Sequence, residues 1–240
     1  MVKEELIQRS PVGVFMKSIG GGLKAGELGV IASLSGLGKT AVLVQIAMDK
    51  LLQGKKVIHI SFAQHTDYVL AWYEDIFNEF IKKKNLENEQ DVKNDIVKNR
   101  VLMKFSQDGL TVDQILKSLS AMIRDGGFSA ECAIVDGYKF SPGEGENISK
   151  IKKFGQELGL SVWFSCTIKE GEMSDNKRNI PVLIKDYAQL FDVIVVLEPR
   201  QDHIELTVPK DRDSSRPFSP ERMALKLDPK TLLILEDKSL

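Results

Sequence analysis

The chain has 240 residues, and its 33 Lys+Arg against 34 Asp+Glu leave a net charge of −1, which excludes a globally basic nucleic-acid binder. With 42% apolar and 28% charged residues it is neither disordered nor fibrous, and it is long enough to bury a sizeable core as one α/β domain spanning 1–240. Two cysteines cannot staple a fold of this size, no run reaches the roughly 20 apolar residues of a membrane helix, and the first residues lack a leader-like apolar run. A reduced, cytoplasmic protein without a membrane segment is expected.

Short apolar, β-branched runs alternate with segments of helical period, the pattern of βα units around a mainly parallel sheet flanked by helices. Strands are expected at 29–33, 56–62, 100–106, 132–137, 160–167 and 192–197. Between them, Leu43, Ile46, Ala47 and Leu51 share one helical face, and Val69, Tyr73, Ile76, Phe77, Phe80 and Ile81 share another. The charged stretch 82–98 reads as a solvated helix or excursion. Thr111 followed by Gln114 is a capping box that opens a helix carrying Val112, Ile115, Leu116, Leu119, Met122 and Ile123 inward, with Gly126 and Gly127 ending it. Ile148, Ile151, Phe154 and Leu158 repeat the pattern up to Gly159. Trp72 and Trp163 are expected in the core. After residue 197 three short strands, 204–209, 223–227 and 231–235, leave no room for helices, so they form a C-terminal antiparallel extension.

The most informative stretch is Gly29-Val-Ile-Ala-Ser-Leu-Ser-Gly-Leu-Gly-Lys-Thr40, a strand, a glycine-containing loop and the start of an apolar helix. This is the setting a P-loop requires. Gly36 and Gly38 let the backbone curl so that successive N–H groups point at phosphate oxygens. Ser35, Gly36, Leu37, Gly38, Lys39, Thr40 and Ala41 are the residues expected to hold the nucleotide. The Lys39 ammonium reaches the terminal phosphates and the Thr40 hydroxyl takes a position on Mg²⁺. Ser33 stands where G-x-x-x-x-G-K-[ST] has its first glycine. Asp136 ends the apolar run Ala133-Ile-Val-Asp and is expected to complete the magnesium shell; alone, an Asp at a strand end is a turn residue. The three histidines and two cysteines have no metal-ligand spacing.

Together these motifs resemble the RecA superfamily, most closely its KaiC-like branch, with DnaB-type helicase domains as cousins. Gly20-Gly-Gly-Leu-Lys-Ala-Gly-Glu-Leu28 is similar to the segment that leads into the P-loop strand of that group. Gly54-Lys-Lys-Val-Ile-His-Ile-Ser-Phe62, Asp192-Val-Ile-Val-Val-Leu-Glu198 and Leu206-Thr-Val-Pro-Lys210-Asp-Arg212 follow in the order of its later strands. The resemblance implies a RecA-like P-loop NTPase fold, ATP or ADP with Mg²⁺, and assembly as a homo-oligomer such as a hexamer. It implies that the strand ending in Ser165-Cys166-Thr167 lies between the P-loop strand and that of Asp136, with Thr167 a polar sensor near the γ-phosphate. Cys166 reads better as a small core residue.

The strand after the P-loop helix carries a catalytic glutamate in that family, whereas here it runs Ser61-Phe-Ala-Gln-His-Thr-Asp67. Gln64 can orient a water but cannot take its proton. His65 and Asp67 are alternative bases, better explained by a turn and a helix cap. Lys210 and Arg212, two apart on a strand and so on one face, are implied to reach a neighbouring subunit's γ-phosphate. Three functions follow: a slow KaiC-like ATPase acting as an oligomer, a non-hydrolysing nucleotide-binding regulator of a partner protein, and a DNA-handling relative. For the third, the loops at 138–147 and 168–181 mix Lys169, Lys177 and Arg178 with Glu170, Glu172 and Asp175, a weak phosphate track without aromatic stacking platforms.

Overall fold

The computed structural model describes residues 11–62, 67–82, 89–106, 109–171, 179–212 and 225–235. Its centre is an eight-stranded mixed sheet in the order β3-β2-β4-β5-β1-β6-β7-β8. The strands are β1 (Leu28–Ser33), β2 (Val57–Ser61), β3 (Arg100–Lys104), β4 (Cys132–Asp136), β5 (Ser161–Thr167), β6 (Val193–Pro199), β7 (Ile204–Lys210) and β8 (Leu225–Leu227). The pairings from β3 across to β6 are all parallel, and β7 and β8 add on antiparallel. The fold is thus α/β with the expected antiparallel extension. β5 does lie between β1 and β4.

β1, β2 and β4 are buried along their whole length, as strands covered on both faces must be. One face is covered by α1 (Pro11–Ser18), α2 (Lys39–Leu52), α3 (Asp67–Lys82) and α4 (Glu89–Lys98). The other is covered by α5 (Val112–Ser120), α6 (Gly145–Leu158) and a 3₁₀ segment, Val182–Leu190. The capping box at α5 is formed: Gln114 N donates to Thr111 Oγ1 at 3.3 Å and Thr111 N donates to Gln114 Oε1 at 2.9 Å. A π-helical turn, Ala121–Asp125, prolongs α5, and Met122 and Ile123 on it are only half-buried.

Several expectations change. Residues 82–98 are not wholly a solvated excursion: α4 buries Val92 and Ile96, while 83–88 lie outside the described residues. Trp163 is fully buried, but Trp72 is only half-buried at the margin of the core. The stretch 231–235 is not a strand. It makes a single bridge, Leu227 to Ile234, because the chain turns tightly at Leu232, which has φ +55° and donates its N–H to Asp228 O, while the buried side chain of Gln45 meets its other edge. Gln45 Nε2 donates to Leu232 O at 2.8 Å, and Ile234 N donates to Gln45 Oε1 at 3.1 Å. Residues 223 and 224 of the expected strand 223–227 lie outside the described residues. The sequence reading assigned no element to α1 or to the 3₁₀ segment.

Candidate functional site

Parallel strands end together, and side chains two apart share a face, so register decides what meets at the carboxyl edge. Ser61 is level with Asp136, and Ser33 with Thr167. The apolar partners of these positions, Ile31, Ile134 and Trp163, pack on the α2 side. Ser33, Ser61, Asp136 and Ser165 therefore form a row of buried polar groups facing the start of α2, in an otherwise apolar layer.

Between β1 and α2 the chain makes the loop 34–38. Gly36 has φ +82° and Gly38 φ +86°, a left-handed conformation that glycine adopts without Cβ strain. Gly38 is the N-cap of α2 and no side chain caps it, so the first N–H groups of the helix lie next to this glycine backbone. Leu232 lies over the loop: a Cβ on Gly38 would come within 3.2 Å of its side chain.

Lys39 folds back along the loop. Its ammonium donates to the Leu34 carbonyl at 2.9 Å and to the Ser33 carbonyl and hydroxyl at 3.3 and 3.2 Å. Burial lowers its pKa from the ordinary lysine value, with Cys166 and Asp136 acting in the opposite direction. Ser33, in place of a glycine, thus supplies a hydroxyl to the lysine. The residue that follows, Thr40, donates from Oγ1 to Asp136 Oδ2 at 2.9 Å. The other carboxylate oxygen, Oδ1, accepts from Ser165 Oγ at 2.7 Å, and the same hydroxyl accepts from Gly137 N at 2.8 Å.

The structure therefore brings Ser35, Gly36, Leu37, Gly38, Lys39, Thr40 and Ala41 into one loop and helix start, with Asp136 against Thr40. Thr167 ends β5 beside Ser33 and is exposed. Cys166 is buried, as a core residue should be. Gln64 and His65 lie outside the described residues; Asp67 is the first residue of α3. Ser165 was not singled out: serine within an apolar strand gives no signal until register sets it beside Asp136.

Lys210 and Arg212 lie elsewhere. β7 runs antiparallel to β6, and Lys210 pairs with Ile194 near the start of the parallel strands, the end opposite the loop. The shared face expected from their spacing is not kept. β7 stops at Lys210, so Arg212 lies past the end of the strand, where side chains two apart no longer share a face. Lys210 donates to the carbonyls of Ala188 and Phe191. Arg212 instead grips the segment leading into β1. Its Nε donates to both carboxylate oxygens of Glu27, at 2.7 and 2.6 Å, and its other nitrogens to the carbonyls of Ile19 and Gly22.

His59, two residues before Ser61 on β2, packs against Tyr73. Its Nδ1 lies 3.1 Å from the Tyr73 hydroxyl, and burial pushes its pKa down to about 4. An apolar cavity of about 30 Å³ lies on the other side of the sheet, lined by Ile60, Leu116, Val135 and Phe154 among others, and offers no anchor for a polar ligand.

Thr40 and Asp136 offer hard oxygen donors of the kind Mg²⁺ selects, so the residues present fit that ion. No group of three or more His, Cys, Asp or Glu among the described residues could hold a metal. A magnesium ion here would thus take most of its ligands from phosphate and water. No described helix is long and apolar enough to cross a membrane. No protein-family profile matches the chain, and no curated protein matches it.

Proposed function

We propose that this protein binds ATP or ADP with Mg²⁺ on a P-loop at residues 35–41, and that its fold is of the RecA type, nearest the KaiC-like branch. The observation that carries this reading is the 2.9 Å hydrogen bond between Thr40 and Asp136. Residues far apart in sequence, each selected by its own motif, meet at a helix start where a cation and phosphates are expected together. The position of β5 between β1 and β4, and the antiparallel extension, support the fold assignment.

The division of labour follows from the side chains. Backbone N–H groups of the loop and the start of α2 bind phosphate oxygens. Lys39 exchanges its carbonyl and hydroxyl partners for the terminal phosphates, and Thr40 and Asp136 hold the cation, which when bound neutralises phosphate charge. Ser61 ends β2, Phe62 follows it, and the sequence from Ala63 to Asp67 has no glutamate. General-base help is typically worth about 10²–10⁴ in rate, so turnover is slow and the nucleotide acts chiefly to control a homo-oligomer or a partner protein. In such an assembly Lys210 and Arg212 would reach a neighbour's phosphates only by leaving their present partners.

Thermal unfolding with and without MgATP tests the reading. At about 100 times Kd, binding adds roughly 2.7 kcal/mol of stability, or about 5–10 °C at roughly 2–4 °C per kcal/mol. Lys39→Ala should lose most of that shift. No shift in the original protein, or an equal one in Lys39→Ala, would reject the P-loop assignment. Phosphate release measured on the same samples separates the slow enzyme from a module that does not hydrolyse.

A further inference from the structure

We propose that Ser165 is the positioning residue of the cation site: its hydroxyl fixes the Asp136 carboxylate in the one orientation that presents an oxygen to Thr40 and Mg²⁺. The inference rests on the magnesium–nucleotide reading above and assigns a task to a residue outside its motifs.

The hydrogen-bond arithmetic leaves one solution. A serine hydroxyl has one proton and two lone pairs, and an ionised carboxylate only accepts. The Ser165 proton therefore goes to Asp136 Oδ1, 2.7 Å away, and a lone pair takes the Gly137 N–H at 2.8 Å. An aspartate's terminal torsion is broad and nearly two-fold, so without a partner on Oδ1 the carboxylate plane is poorly defined. Ser165 removes that freedom from one side while Thr40 defines the other oxygen at 2.9 Å.

Ser165 is only 3% exposed, so water does not compete for these bonds, and β5 places it without loop flexibility. The register Val135 to Phe164 sets the next residue pair, Asp136 and Ser165, side by side. Gly137 has φ +81°, so the same hydroxyl also secures the point where the chain turns away from β4. One side chain thereby holds both the ligand and the backbone that follows it. Partners of this kind behind a metal ligand typically contribute about 10–100-fold in metal affinity.

The test is calorimetric titration of the original protein, Ser165→Ala and Ser165→Thr with ADP, each in Mg²⁺ and in excess EDTA. The quantity read is the gain in nucleotide affinity due to Mg²⁺. Ser165→Ala should lose about tenfold or more of that gain, while its affinity in EDTA stays within about twofold. Ser165→Thr, which keeps the hydroxyl, should restore the gain. A general structural role would weaken binding equally in both conditions, and that result, or a full Mg²⁺ gain in Ser165→Ala, overturns the proposal. Should Ser165→Ala not fold, Ser165→Cys, with its weaker donor and similar size, takes its place under the same criteria. An original protein that binds ADP with no Mg²⁺ gain overturns the underlying reading instead, before any variant is compared.

Discussion

Replacing His59 by glutamine should abolish a large part of the acid sensitivity of the fold. The imidazole is fully buried on β2, with Nδ1 against the Tyr73 hydroxyl and Nε2 without a hydrogen-bond partner among the described residues. Burial disfavours its charged form, and Arg100, stacked 4.2 Å from the Tyr73 ring centre, works in the same direction; Asp136 opposes both. The folded-state pKa is about 4 against 6.5 for the free side chain. A histidine with a depressed folded pKa contributes stability that is fully present above the unfolded value and is lost as pH falls between the two, because only the unfolded chain then gains a proton. Each pH unit inside that window is worth at most about 1.36 kcal/mol. Between pH 7.5 and 5 the linkage therefore removes about 2 kcal/mol, or roughly 4–8 °C in melting temperature for a chain of this size. Urea unfolding at half-unit pH steps measures it, and the difference between the original protein and His59→Gln cancels the carboxylates common to both. Parallel pH profiles for the two proteins would refute the burial argument and place a proton-accepting partner on His59.

Two further substitutions probe the start of β1. Gly29→Ala would set a Cβ 2.5 Å from the Trp163 ring, inside the closest approach of real atoms, and Trp163 is fully buried. Overpacking of this kind costs about 1–3 kcal/mol, so the melting temperature should fall and MgADP binding weaken with it; an unchanged melting temperature would show that β1 and β5 separate freely. Arg212→Ala removes the clasp on Glu27 and two carbonyls, in a setting where both side chains are largely covered. A loss of about 1–3 kcal/mol is expected, matched by Glu27→Gln and less than additive when the two are combined. If Arg212→Ala keeps its melting temperature and instead loses ATP-dependent assembly by light scattering, the residue acts on a neighbouring subunit.

The order of strands and helices was readable because apolar runs and turn residues are local signals. Thr111, Gln114 and Gly159 punctuate the chain as their capping chemistry demands, and Lys39, Thr40 and Asp136 are conspicuous in their settings. What the sequence hid depends on register and on side chains replacing backbone. Nothing local in residues 231–235 says that Gln45 will take the hydrogen bonds of a strand. Nothing around Lys210 announces that β7 ends there, which frees Arg212 from the alternation of the strand. Ser165 is silent for the same reason, since its meaning comes from the residue beside it across the sheet. α1 was legible after all: Val12, Phe15, Met16 and Ile19 have helical spacing and all are buried.

The placing of β1 between β5 and β6 also governs how the molecule can be made. During synthesis the partner β3 of β2 is available once Arg100–Lys104 has emerged, but the partners of β1 come only with Ser161–Thr167 on one edge and Val193–Pro199 on the other. Until then an apolar strand, Leu-Gly-Val-Ile-Ala-Ser, has two open edges, and such non-local closure is slow and exposed to aggregation. The loop at 34–38 hangs from the carboxyl end of this late-secured strand. A nascent chain therefore has the motif long before it has the site, and a nucleotide bound as proposed would reward completion of the sheet.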